Sequence, residues 1–89
     1  MKSATTKQFW KCFDALPERV QKLAAEGFEH WKRDPYHPGL HFKLLHGVTD
    51  MYSVRVGEGW RTVGRRRGET IYWFWIGSHA DYDRLIARL

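Results

Sequence analysis

Seven consecutive residues, Thr70-Ile71-Tyr72-Trp73-Phe74-Trp75-Ile76, leave this chain few ways to fold. β-branched and aromatic side chains fill the run, so it reads as a strand. Because it is apolar on both faces, it belongs inside a sheet with cover on each side. Two further β-type runs precede it. Tyr52-Ser53-Val54-Arg55-Val56 alternates apolar and polar residues, Gly57-Glu58-Gly59 supplies a turn, and Trp60-Arg61-Thr62-Val63 resumes a strand that frays into Arg65-Arg66-Arg67 before Gly68-Glu69 turns the chain again.

Upstream, Leu40-His41-Phe42-Lys43-Leu44 alternates as well, which predicts a half-buried strand with Leu40, Phe42 and Leu44 on one face and His41 and Lys43 on the other. The same parity puts Ser53 and Arg55 on a polar face. The segment His46-Gly47-Val48-Thr49-Asp50 links this strand to the meander.

The remaining chain is helical cover. Thr5 or Thr6 caps a first helix in which Phe9, Trp10, Phe13 and Leu16 recur at helical spacing, and residues 2–5 read as a short edge strand before it. Pro17 suits the first position of a second helix, whose stripe of Val20, Leu23, Ala24, Gly27, Phe28 and Trp31 faces inward. Asp34-Pro35-Tyr36-His37-Pro38-Gly39 ends that helix. After the last strand, Ser78 caps a short helix with Tyr82, Leu85, Ile86 and Leu89 on one face. The predicted fold is α+β: an N-terminal helical hairpin packed on a small antiparallel sheet of about four strands, with a short C-terminal helix. The other face of the sheet is expected to be a concave basic surface rimmed by aromatics.

A chain of 89 residues holds one core, so residues 1–89 are read as a single domain. The one cysteine, Cys12, forms no internal disulfide, the N-terminus lacks the apolar core of a signal peptide, and no run approaches a membrane span. These features predict a cytoplasmic protein without a membrane partner. The formal charge of +5, from 15 Lys and Arg against 10 Asp and Glu, points to an anionic partner. The histidines His30, His37, His41 and His46 do not fall into a metal-binding motif, and no cofactor is expected.

The ordered segments LHFKLLHG, DMYSVRVGEGWRTVG and ETIYWFWIGSHADYDRLI, preceded by LPERVQKLA and DPYHPG, resemble the RelE/ParE superfamily of type II toxin–antitoxin toxins across nearly the whole chain. The resemblance implies a toxin neutralised by a cognate antitoxin in a hetero-oligomer. It also implies one of two targets: mRNA on the ribosome, cut by a ribosome-dependent endonuclease that inhibits translation, or DNA gyrase. Arg61 stands where the endonucleases carry an arginine on the scissile phosphate, and His79 where they carry a histidine or arginine at the end of the last strand. The glutamate used as base by one branch is Phe42 here, and the paired lysines of another branch are not reproduced. Lys43 and His41, beside that position, are the substitutes, and Tyr82 loosely matches a C-terminal tyrosine that assists some members.

These residue types suit metal-independent RNA cleavage. A histidine transfers protons near neutral pH, and Arg55 and Arg61 can stabilise the charge of a pentacovalent phosphorus. Each also has a plainer role: a strand arginine is commonly solvated or ion-paired, His79 can serve the helix terminus, and Trp73 and Trp75 read as core. Arg65, Arg66 and Arg67 fit either a solvated hairpin end or a phosphate-backbone contact. Three classes of function therefore remain open: a ribosome-dependent endoribonuclease, a non-catalytic gyrase inhibitor, and a non-toxic basic RNA-binding module. For the RNA-directed readings, affinity for RNA is expected to fall steeply as salt rises, because Lys and Arg contacts to phosphate release counterions. Filter binding across a salt series checks this, and a flat series would remove the phosphate-contact argument.

Overall fold

A computed structural model describes residues 1–45 and 49–88. In chain order the elements are β1 (Lys2–Thr5), α1 (Lys7–Asp14), α2 (Glu18–Arg33), a 3₁₀ turn (Pro38–Leu40), β2 (Lys43–Leu44), β3 (Met51–Val56), β4 (Trp60–Arg67), β5 (Thr70–Ser78) and α3 (His79–Ala87). The sheet order is β1-β5-β4-β3-β2, antiparallel throughout except for β1, which runs parallel to β5. The edge strand and the meander are thus parts of one sheet, which has five strands rather than about four. Among the described residues no helix is long and apolar enough to cross a membrane.

The run that dominates the sequence becomes β5, an interior strand between β1 and β4. Its pairing with β4 carries a bulge: Val63 opposes Trp75 and Gly64 opposes Trp73, so Phe74 has no partner. One extra residue inverts the parity of side chains across it. Trp73 therefore joins Phe9, Trp31, Leu40, Val54, Val56, Ile71 and Ile76 under the helical hairpin. Trp75 packs on the opposite side against the cluster of Leu45, Met51, Val63 and Tyr82. Trp31 is 1% exposed and meets Trp73 edge to face, with centroids 5.4 Å apart, an arrangement favoured by the ring quadrupoles.

Gly64 makes room for this packing. A Cβ there would sit 2.6 Å from both Ile71 Cγ2 and Trp73 Cε3, so only a residue without a side chain lets Trp73 lie across β4. Both hairpin turns also form, with Gly57 and Gly68 in the left-handed region.

The caps follow the local chemistry. Thr6 Oγ1 accepts from the Phe9 N–H at 3.1 Å, and Ser78 Oγ accepts from the Asp81 N–H at 3.1 Å. Pro17 falls one position earlier than expected: its extended backbone makes it the N-cap, and its carbonyl accepts from Val20 and Gln21.

Several expectations are corrected. The strand predicted over residues 40–44 is reduced to Lys43–Leu44. His37 Nδ1 accepts from the Gly39 N–H, Pro38–Leu40 closes as a 3₁₀ turn, and His41 then takes a left-handed conformation with φ 49°. That turn, not a strand, carries Leu40 into the core, while Leu44, expected inside, is 47% exposed. Trp10, expected on the buried stripe, is exposed and donates its indole N–H to Thr5 Oγ1 at 2.9 Å. β4 does not fray but stays paired to Arg67. The second sheet face is not left open, since α3 lies on it through Tyr82, Leu85 and Ile86. The expected link at His46, Gly47 and Val48 and the inward placement of Leu89 lie outside the described residues.

Replacing Gly64 with Ala is expected to destabilise the fold by about 1–3 kcal/mol through overpacking against Trp73. Urea denaturation measures it, and an unchanged midpoint would mean that the indole does not cross β4 at that point.

Candidate functional site

Strand alternation and pairing put Arg55 of β3 directly opposite Arg61 of β4, so both project from the face that carries α3. Like charges facing each other across strands are unfavourable. Among the described residues no carboxylate comes within salt-bridge distance of either arginine. Arg55 Nε donates to the Gly57 carbonyl at 2.9 Å, which holds the side chain along the β3–β4 turn.

Arg61 is more confined. Its guanidinium carbon lies 5.3 Å from the centroid of the Tyr82 ring, and its Nε and Nη1 are buried without a hydrogen-bond acceptor. A cation over an aromatic face is stabilised by the ring quadrupole. That contact satisfies no N–H, and a buried donor left unpaired costs about 1–3 kcal/mol. An arginine in this condition, with a second arginine across the rung, is suited to a bidentate anion such as a phosphate.

Tyr82 is held from below. Its hydroxyl donates to Ser53 Oγ at 3.2 Å, and both residues are buried. Ser53, expected on a polar exposed face, is in fact fully enclosed, because the terminal helix brings the tyrosine down on it. His79 opens α3 at the end of β5; its backbone N–H donates to the Gly59 carbonyl at 2.8 Å, and its exposed ring lies 5.9 Å from that of Tyr82. His79 Nε2 stands 3.7 Å from Asp83 Oδ1, one helical turn on. Tyr82 thus touches Arg61 and His79 and joins them into one cluster with Arg55.

The other expected site residues are not in this cluster. Lys43 faces Ser53 across β2 and β3, two residues along the sheet from the Arg55–Arg61 rung. An unbroken strand would bring His41 level with Arg55, but the left-handed turn at His41 breaks the ladder and leaves it exposed. Phe42, at the position of the glutamate in one branch, stacks on Tyr52 at 5.0 Å and is part of the aromatic packing.

The three consecutive arginines also separate, because neighbouring residues of a strand point to opposite faces. Arg65 approaches Asp50 at 3.7 Å, Arg66 lies over Tyr52 at 5.8 Å, and Arg67 is exposed at the strand end. They do not form one phosphate cradle. Among the described residues no group of three or more His, Cys, Asp or Glu side chains is placed to hold a metal ion.

Ser53 and the central placement of Tyr82 carry no distinct sequence signal. By pattern Tyr82 reads as one more member of an apolar helical stripe; the clues to a further role are its loose match to the C-terminal tyrosine that the resemblance implies and the need of a buried tyrosine hydroxyl for a partner.

The fold is shared with solved toxins. The RelB–RelE antitoxin–toxin complex from Methanococcus jannaschii matches with a TM-score of 0.73 and 22% identity, over 91% of this chain and 96% of that chain. The RelBE2 complex from Mycobacterium tuberculosis matches with 0.69 and 20%, over 88% and 96%. The YoeB/ParE toxin from Agrobacterium tumefaciens matches with 0.68 and 20%, over 89% and 99%. No curated protein matches the chain in sequence. The family model of the ParE-like toxin domain matches residues 18–84, from the start of α2 to the middle of α3. A match over most of the chain, ending within the helix that carries Tyr82, makes this protein a member of the ParE-like toxin family of the RelE/ParE superfamily.

Proposed function

We propose that this toxin is a ribosome-dependent mRNA endonuclease that cleaves RNA without a metal and is neutralised by a cognate antitoxin. The observation that carries this reading is the Arg55–Arg61 rung with two buried, unpaired guanidinium nitrogens on Arg61. A scissile phosphate bound at the rung would offset the repulsion between the arginines, and by displacing the side chains that cover Nε and Nη1 it would supply their missing acceptors. Its developing negative charge would be stabilised most in the transition state.

The reaction requires the ribose 2′-oxygen to lose a proton and attack the adjacent phosphorus. The bond from phosphorus to the 5′-oxygen then breaks, and that oxygen takes up a proton, leaving a 2′,3′-cyclic phosphate and a 5′-hydroxyl. His79, exposed at the rim of the cluster, is assigned one of these proton transfers. Arg61 holds the phosphate oxygens, Arg55 adds charge across the rung, and Tyr82 keeps the Arg61 guanidinium in place.

The antitoxin reading draws support from the opposite side of the sheet. α1 and α2 do not close over it, and between them lies an apolar cleft of about 360 Å³ floored by Val54, Thr62, Trp73 and Ile76. The indole N–H groups of Trp31 and Trp73, both in its walls, have no acceptor. An amphipathic antitoxin segment would fill such a cleft with its apolar face. The solved complexes of the M. jannaschii and M. tuberculosis relatives with their antitoxins support a partner of this kind.

The gyrase-inhibiting reading is favoured by one observation: neither His41 nor Lys43 is brought against Arg61, so the second proton-transfer group is not evident. Induction in a growing culture separates the two. Translation arrest with mRNA cut inside codons is expected, whereas replication arrest with DNA damage would favour the gyrase reading.

His79→Ala is expected to slow cleavage on the order of 100-fold or more, and Arg61→Ala by about 100- to 1,000-fold. Both variants should keep the circular-dichroism spectrum of the parent, and antitoxin co-expression should restore growth with the unaltered chain. If Arg61→Ala, His79→Ala, His41→Ala and Lys43→Ala all stay fully toxic, cleavage chemistry on this face is wrong.

A further inference from the structure

A second feature lies on the other face of the sheet and toward the other end of β4. Tyr36, in the loop after α2, packs on Phe42 with centroids 5.5 Å apart, and Phe42 stacks on Tyr52 at 5.0 Å with 27° between the planes. The guanidinium of Arg66 lies 5.8 Å from the Tyr52 centroid. The row therefore runs from an exposed aromatic through two half-buried ones to a cation.

Its middle is anchored in the core, since Phe42 meets Trp31 edge to face at 5.8 Å. Its outer end is not covered, and Tyr36 is 65% exposed. The Tyr36 ring is nevertheless placed, because its backbone N–H donates to Asp34 Oδ1 at 3.2 Å and its ring is tilted against Phe42.

Arg66 is fixed by a bond from Nε to the Gly68 carbonyl at 2.9 Å. The Tyr52 hydroxyl, and after it that of Tyr36, favour its charged form. Among the described residues no carboxylate pairs with Arg66; Asp50 is taken up by Arg65, and Asp34 is engaged by the Tyr36 backbone.

We propose that the Tyr36–Phe42–Tyr52–Arg66 row is a nucleobase-stacking site for single-stranded RNA, separate from the Arg61 cluster. An exposed ring held by its neighbours offers a π-face to any base at little entropic cost, and a guanidinium without a carboxylate partner holds the neighbouring phosphate. Strand rise puts Arg61 and Arg66 about 16 Å apart along β4, on opposite faces. This site is thus a holding contact and not part of the cleaving cluster. The choice of RNA as the strand rests on the function proposed above, but the test does not use cleavage.

The test is fluorescence anisotropy of a labelled ten-nucleotide oligouridine with the full chain. It is repeated with an abasic strand of the same length, which keeps the phosphates and loses the bases. Tyr36→Ala, at an exposed loop position, is expected to weaken oligouridine binding about tenfold. On the abasic strand it should bind like the parent, and Tyr36→Trp should restore oligouridine affinity. Arg61→Ala should keep the full Tyr36-dependent difference, and loss of cleavage in that variant tests the cluster alone. Equal oligouridine affinity in Tyr36→Ala and the parent would overturn the proposal, as would an equal loss on both strands. Loss of antitoxin binding with RNA binding intact would assign the row to the protein partner and overturn it too.

Discussion

One extra residue in β5 supports the rest of the molecule. A strand of alternating parity would send Trp73 and Trp75 to the same face, leaving the other side of the sheet without an indole from this strand. The unpaired Phe74 breaks that parity, so each face receives one indole. Gly64 on the neighbouring strand completes the arrangement by letting Trp73 lie flat against β4. With about 150–250 Å² of surface on each large aromatic, the two indoles are what make a double-sided core affordable in a chain this short.

The same double cover shapes the candidate site. α3 docks on the second face because Tyr82, Leu85 and Ile86 meet the cluster around Val63 and Met51, and that docking brings Tyr82 over Arg61. Tyr82 is thereby both core and site. Its ring fills the space above β4, its hydroxyl satisfies Ser53, and its face holds the guanidinium whose other donors stay unpaired. Unpaired buried donors beside a second arginine weaken the fold, which is the usual relation between a site poised for an anion and the scaffold that carries it.

The basic excess is not one surface. Strand alternation divides the arginines of β3 and β4 between the two faces, Arg55, Arg61 and Arg65 on one and Arg66 on the other. The chain thus presents a cationic cluster near His79 and a separate aromatic and cationic row near Tyr36. The apolar cleft between α1 and α2 is a third surface, suited to a protein segment. Three surfaces of different chemistry fit the function proposed above, in which the toxin would meet both a target and a neutralising partner.

Much of this was legible in the linear chain. Period-2 and period-3.6 patterns found all three helices, the caps at Thr6 and Ser78, both hairpin turns and the interior position of β5, since each is decided by residues within a few positions of one another. The order of segments was enough to point to the superfamily, and Arg55, Arg61 and His79, named from the sequence, are gathered by the fold around Tyr82. The bulge at Phe74, the 3₁₀ turn that replaced a predicted strand at Leu40, and the burial of Ser53 were not legible. Each depends on what packs against the segment from elsewhere: β4 opposite β5, the core that receives Leu40, and Tyr82 arriving twenty-nine residues after Ser53. Local pattern specifies which face of an element is apolar, but only the docking of α3 decides that Nε and Nη1 of Arg61 are shielded without an acceptor, because desolvation is a property of neighbours in space and not of neighbours in the chain.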